Sequence, residues 1–362
     1  MGLIRLLLSF SVVIAHSNPV FGNKLIGGAI SVRAFFIISG FYMALILNEK
    51  YVSKDSYKLF ITNRLLRLYP VYWIMLGLTI ILGFLAVRFS NHPIFLAPYF
   101  TYSDTISFVS WIYLIISNIG LVGLDWILFS GFNASNGHFF FSSEMAGGWH
   151  FIVVTQAWSI GIEIAFYLVA PFLVRRRWSI LLIIIGCSLL LRVIMYSMGY
   201  NKDPWSYRFF PLELGFFLIG ALGYKVYRFL KTKNIRRTTN IGLLLLMVGF
   251  TICFQYVPVE KECQEWMYYS LIAITTPFLF LFTKNNKLDY LIGELTYPVY
   301  MCHVFIFVIL GYLNKFTGIG PQYSGLVTIA GSVLFSLLLI KFIIDPVEKI
   351  RQSRVKQIKL NN

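Results

Sequence analysis

Two histidines and one carboxylate lie deep inside apolar runs of this chain: His16, Glu163 and His303. An imidazole changes charge near neutral pH, and a carboxylate can orient it or balance the positive charge it acquires. That set of residue types suits proton transfer. Each residue also belongs to a helical pattern. Gln156, Ser159, Glu163 and Tyr167 recur at i, i+3, i+7 and i+11, so they share one face of a helix. Thr296, Tyr300 and His303 form a second stripe. Arg5 and His16 are eleven residues apart, close to three turns, and so share a face about 16 Å apart along the axis. A lone histidine in such a run can be a hydrogen-bonded packing residue, and a lone glutamate can bridge helices. Three such groups at similar depth favour a functional reading.

The stretch FITNRLLRLYPVYW, residues 60–73, points to a different chemistry. Arg64 and Arg67 are at i, i+3 on one face, and guanidinium forks suit bidentate contact with phosphate. On this stretch alone the pair reads slightly better as a positive anchor at the cytoplasmic mouth of a span, with Tyr69, Tyr72 and Trp73 as interface aromatics.

The elements that must position these groups follow from composition. Of 362 residues, 58% are hydrophobic, 18% aromatic and only 13% charged. Soluble domains average roughly 45–50% apolar and about 25% charged, so the excess implies a polytopic membrane protein. The net charge of +16 is accounted for by Lys and Arg in cytoplasmic loops, and no nucleic-acid partner is expected. Cys187, Cys253, Cys263 and Cys302 show no metal-ligand spacing, and no metal is expected.

Apolar runs long enough to span fall near 3–21, 26–47, 69–89, 151–174, 178–199, 209–230, 241–257, 266–282, 291–313 and 324–344. A further run, 106–130, is broken by Asn118, Gly120, Gly123 and Asp125. If that run does not cross, most of the Lys and Arg residues share one side, including Arg5, Arg175–Arg177 and the residues after 341. The expected fold is therefore all-α: a membrane bundle of about ten transmembrane helices plus one re-entrant or interfacial outer segment. Both termini are expected in the cytoplasm of a bacterial cell, with the chain multi-pass in the inner membrane. Residues 1–348 read as a single membrane domain and 349–362 as a basic cytoplasmic tail.

Six stretches, in order, resemble the acyltransferase-3 family of bacterial integral-membrane O-acyltransferases. RLLLSFSVVIAH is similar to the family's first-span pattern through Arg5 and His16, and AFFIISGF to its FFxxSGF span. RLLRLYPVYW resembles its RxxR signature through Arg64, Arg67, Pro70 and Tyr72. WSIGIEIAFY resembles WSLxxExxFY, placing Trp158, Ser159, Glu163 and Tyr167. RFFPLELGFFLIGALGY is similar to the Pro-and-Gly segment, and LIGELTYPVYMCH to the final element through Gly293, Tyr297, Tyr300 and His303. The chain departs from the family at Arg33, where many members carry Asp, and at Ile164, where many carry a second acidic residue.

The resemblance implies transfer of an acyl group, commonly acetyl, from cytoplasmic acyl-CoA to a sugar hydroxyl. The acceptor would be a cell-surface polysaccharide or its lipid-linked precursor, met at the membrane lipid. His16 is expected as general base and Glu163 as the carboxylate that orients it. Arg64, Arg67 and Arg5 are expected to hold the CoA phosphates. Trp158, Ser159, Tyr167, Tyr300, His303, Arg208 and Glu213 are expected on the acceptor side, with His303 either a second acid/base or a packing partner. A proton-coupled transporter or flippase is the competing reading, but no inverted repeat is visible in the sequence.

Overall fold

The computed structural model describes residues 1–53, 56–90, 93–318 and 320–360. Three helices open the chain: α1 (Gly2–His16), α2 (Gly28–Glu49) and α3 (Ser56–Ser90). Two short helices follow, α4 (Ala97–Thr101) and α5 (Phe108–Gly120), and then a hairpin of β1 (Ser130–Asn133) and β2 (His138–Phe141). Helices α6 (Trp158–Leu173), α7 (Trp178–Ser197), α8 (Trp205–Arg208) and α9 (Phe210–Leu230) come next. The chain continues through α10 (Arg237–Cys253), α11 (Lys261–Thr283), α12 (Lys287–Thr317), α13 (Ser324–Leu339) and α14 (Asp345–Leu360).

Nine helices among the described residues are long and apolar enough to cross a membrane, and they fall on nine of the ten expected runs. The protein is a polytopic helical membrane protein. The run expected at 3–21 differs. Its helix stops at His16 after 15 residues. That is about 22 Å of helix, where a span needs about 30 Å. Pro19 explains the stop, because the residue before a proline is pushed out of helical backbone. The run at 69–89 differs in the other sense, since α3 begins at Ser56 and carries Arg64 and Arg67 within the helix. Pro70 is tolerated inside α3, as are Pro171, Pro277 and Pro298 in α6, α11 and α12. Membrane helices accommodate such prolines because neighbouring groups re-satisfy the freed carbonyls.

The 106–130 run does not form a crossing helix. α5 has 13 residues and ends at Gly120, followed by Leu121 in left-handed backbone at φ 57°. Phe108, Ile112, Ile115, Ile116 and Ile119 lie exposed along one face of α5. The hairpin that follows pairs Ser130 with Phe141 and Asn133 with His138. It is a small addition to an otherwise helical chain, as expected, and its signal was Asn136-Gly137 between two aromatic-rich strands. The residues expected as a basic tail are helical through Leu360, a single π-helical turn at Ile340–Ile344 joining α13 to α14; residues 361–362 lie outside the described residues.

The chain divides into two compact units. One comprises residues 1–63, 170–185 and those from 215 on; the other comprises 64–169 and 186–214. In the first unit α2 and α9 cross at glycines. A Cβ on Gly40 would lie 1.8 Å from the Phe217 carbonyl oxygen, and one on Gly220 would lie 1.8 Å from that of Ile37. Only glycine allows that approach, the small-residue device by which membrane helices gain van der Waals contact.

Candidate active site

The first unit places its histidines through the register of two helices. Gly2, Ser9 and His16 of α1 meet Asp289, Thr296 and His303 of α12, and both series step by seven residues. A seven-residue step is two helical turns, the repeat that keeps one seam facing its partner. The Gly2 amide donates to Asp289 Oδ2 at 2.8 Å, and the Ser9 hydroxyl donates to the Thr296 carbonyl at 3.1 Å. The third contact is between imidazoles: His16 Nδ1 lies 2.9 Å from His303 Nε2. The rings are inclined by only 21°.

The direction of that hydrogen bond follows from the far side of His303. Its Nδ1 lies 2.7 Å from the Tyr300 carbonyl oxygen. A carbonyl only accepts, so Nδ1 carries the proton and Nε2 of neutral His303 holds the lone pair. His16 Nδ1 therefore donates to it, which puts the lone pair of neutral His16 on Nε2. His303 is completely buried, whereas His16 is exposed. One imidazole is a fixed interior support and the other presents a basic nitrogen at a surface. Tyr300 contributes its main chain here, while its buried ring lies 5.9 Å from that of His303. Further along α1, the Arg5 guanidinium stands 5.7 Å over the ring of Tyr42.

The second unit holds most of the remaining candidates. Tyr167 donates to Glu163 Oε1 at 2.5 Å, one turn apart on α6. Arg64 and Arg67 are close enough to act electrostatically on Tyr167. Arg64 is buried and Arg67 half-buried, so this is a cationic pair drawn into apolar surroundings beside a carboxylate. Ser159 donates back to the Gln156 carbonyl at 3.2 Å, and both are buried, as the shared stripe requires.

The candidates around α8 form two ion pairs. Arg208 makes a two-pronged contact with Asp203, Nε at 2.6 Å and Nη2 at 2.8 Å. Its guanidinium lies 4.2 Å over the ring of Trp158, and Tyr207 meets that ring edge-on at 4.9 Å. Trp158 is buried beneath them. Glu213 is fully buried and accepts from Arg192 at 2.9 Å. Arg192 also donates to the Ser206 and Leu212 carbonyls at 2.8 and 2.9 Å, which ties α8 to α9. Near α5, Asp125 is buried, and burial pushes its carboxyl up to about 6.

Sequence reasoning had not paired His16 with His303, nor marked Asp203 and Arg192 as partners of Arg208 and Glu213. The matching steps of seven in α1 and α12 were the available signal for the first.

Comparison with known proteins supplies the decisive observation: the family profile described as an acyltransferase domain, Acyl_transf_3, matches residues 1–341. The chain belongs to the acyltransferase-3 family. Proteins of Staphylococcus aureus strains COL and MSSA476, each named "Putative O-acetyltransferase", are 23% identical to this acyltransferase-3 chain over 96% of its length. The chain spans 56% of those relatives, about half their length. An "Uncharacterized protein" of Aquifex aeolicus is 26% identical over 55% of this chain and 89% of its own. No solved structure matches the chain. Both the histidine pair and the Glu163 group of this acyltransferase-3 chain lie within the matched residues.

Proposed function

We propose that this protein is an O-acyltransferase that moves an acetyl group from acetyl-CoA to a sugar hydroxyl of a cell-surface polysaccharide or its lipid-linked precursor. The observation that carries the reading is the hydrogen-bonded series from the Tyr300 carbonyl through His303 to His16. It leaves His16 Nε2 as the nitrogen able to take a proton. The acceptor hydroxyl gives its proton to Nε2 as its oxygen attacks the thioester carbonyl carbon. The C–O bond forms, the C–S bond breaks, and the CoA thiolate recovers the proton from His16. The imidazolium is stabilised meanwhile because its Nδ1–H donates to His303. The C-terminal end of α1, where His16 stands, also favours positive charge.

Arg64 and Arg67, with Arg5, are the proposed holders of the CoA phosphates, since charge-assisted guanidinium–phosphate bonds are strong and directional. Glu163 is proposed to stabilise the positive charge that develops during transfer. Trp158, Ser159, Tyr167, Tyr300, Arg208 and Glu213 remain proposed for the acceptor side. For Trp158 and Glu213 that role is indirect, through the surface they support. The charge distribution supports a multi-pass protein of the bacterial inner membrane with cytoplasmic termini.

The test is acetyl transfer by purified protein from labelled acetyl-CoA, together with mass spectrometry of surface glycans from cells with and without it. Gain of one acetyl mass is expected. Identical glycan masses and no labelled product would overturn the reading.

A further inference from the structure

Asn118 is one of the polar residues that break the apolar run at 106–130, and it is buried near the end of α5. Its side-chain amide is fully engaged. Nδ2 donates to the Leu114 carbonyl at 3.0 Å, to the Phe151 carbonyl at 3.1 Å and to the Tyr99 hydroxyl at 3.3 Å. Oδ1 accepts from the Val153 amide at 2.9 Å. Tyr99 donates to the same Phe151 carbonyl at 2.5 Å. Carbonyls only accept and amide N–H groups only donate, so both ends of the Asn118 side chain are assigned by their partners.

Those partners lie at a junction. Residues 152–154 are buried and non-helical, and they lead through a short turn, Thr155–Ala157, into α6. Buried backbone in a membrane protein needs internal partners. Asn118 supplies an acceptor and a donor to alternate residues of this segment, as a neighbouring strand would. The other side of α5's end is held by α3. Tyr69 and Tyr72 donate to the carbonyls of Gly120 and Asn118, and Trp73 Nε1 donates to that of Ile119 at 2.9 Å. Further along α3, Phe84 meets Phe100, so α5 runs back along α3 towards Arg67. The turn after α5 also abuts α6, where a Cβ on Gly161 would lie 3.0 Å from the Leu121 carbonyl oxygen. The end of α5 is thus wedged between the helix that carries Arg64 and Arg67 and the helix that carries Glu163 and Tyr167. All of these residues belong to the second unit.

An apolar side chain could fill the space at position 118. Only an amide of this length makes the two-point bond to Phe151 and Val153. That bond sets the height at which the chain enters α6, and Glu163 follows ten residues after Val153. We propose that Asn118 is a positioning residue, whose amide holds α6 at the height that places Glu163 beside Arg64 and Arg67. The inference rests on the reading that Glu163 stabilises the charge that develops during acetyl transfer.

A double-mutant cycle tests it, read as transfer from labelled acetyl-CoA to glycan extracted from cells lacking the protein. Asn118→Gln keeps the donor and the acceptor but carries them one methylene further. It is expected to lower kcat on the order of tenfold, with KM for acetyl-CoA within about twofold, as misplaced reacting groups do. Glu163→Gln should lower kcat at least as much. The double variant should lose no more than Glu163→Gln alone, because Asn118 acts through that carboxylate. Losses that multiply in the double variant, as a general structural brace would give, overturn the inference and leave the Glu163 reading standing. Wild-type kcat in Asn118→Gln does the same. Wild-type kcat in Glu163→Gln removes both. If Asn118→Gln lowers protein abundance, Tyr99→Phe, which removes one bond to the Phe151 carbonyl, carries the same cycle, and multiplied losses there also overturn the proposal.

Discussion

His16 and Glu163 both interrupt apolar sequence, and they are held in opposite ways. His16 bonds a second imidazole, with a backbone carbonyl behind it. Glu163 is anchored by a phenol within a field set by two guanidinium groups. Burying an ion costs several kcal/mol unless it is paired, while a neutral polar group needs only its hydrogen bonds. The contact between the two imidazoles joins neutral groups, and its direction leaves Nε2 as the basic nitrogen of His16. The Glu163 region instead concentrates permanent charge, which suits holding an anionic donor. Proton handling and charge handling are built from different materials.

Five substitutions at four positions test this contrast. His16→Ala should have the largest effect, lowering kcat for acetyl transfer by about 100- to 10,000-fold at normal abundance, the range of a lost general base. Near-wild-type turnover would end the general-base assignment. Arg64→Ala and Arg67→Ala should raise KM for acetyl-CoA about 10- to 100-fold, as loss of a charge-assisted bond does, with a smaller change in kcat. An equal fall in kcat at constant KM would instead place these arginines with the proton chemistry. His303→Ala should cost about tenfold in kcat by removing the acceptor for His16 Nδ1–H, and His303→Gln, which keeps an acceptor, should retain more activity. If glutamine and alanine behave alike, direction is not what His303 supplies.

The smallest effect is on stability. The carboxyl of Asp125 is raised from 3.8 to about 6 by burial, so the folded state binds its proton more tightly than the unfolded chain. That contribution is fully present below the unfolded value and is lost as pH rises through about 6. Asp125→Asn should raise the melting temperature at pH 7 more than at pH 4, leaving acetyl transfer unchanged. Equal shifts at both values would remove the burial explanation.

Most of the spans were legible in the sequence, because a bilayer demands long apolar runs and little else imitates them. The first was misread at its end: hydropathy continued past His16, but Pro19 halted the helix. The hairpin at 130–141 was missed because its aromatic strands blend into an aromatic-rich chain. Within the candidate site, helical periodicity grouped Glu163 with Tyr167 correctly, since both lie on one helix. It could not state which helices meet, so the contact between His16 and His303 emerged only from the packing of α1 on α12.

The hydrogen bond from His303 to residue 300 ends on the main chain, and every amino acid supplies a carbonyl there. The polarity of the imidazole pair is thus indifferent to which side chain stands at that position. Exchange of the Tyr300 side chain would reshape the neighbouring surface while the direction of this hydrogen bond is kept. If His16 is the base proposed above, a change of side chain at position 300 alters the surface beside it and leaves the base as it is.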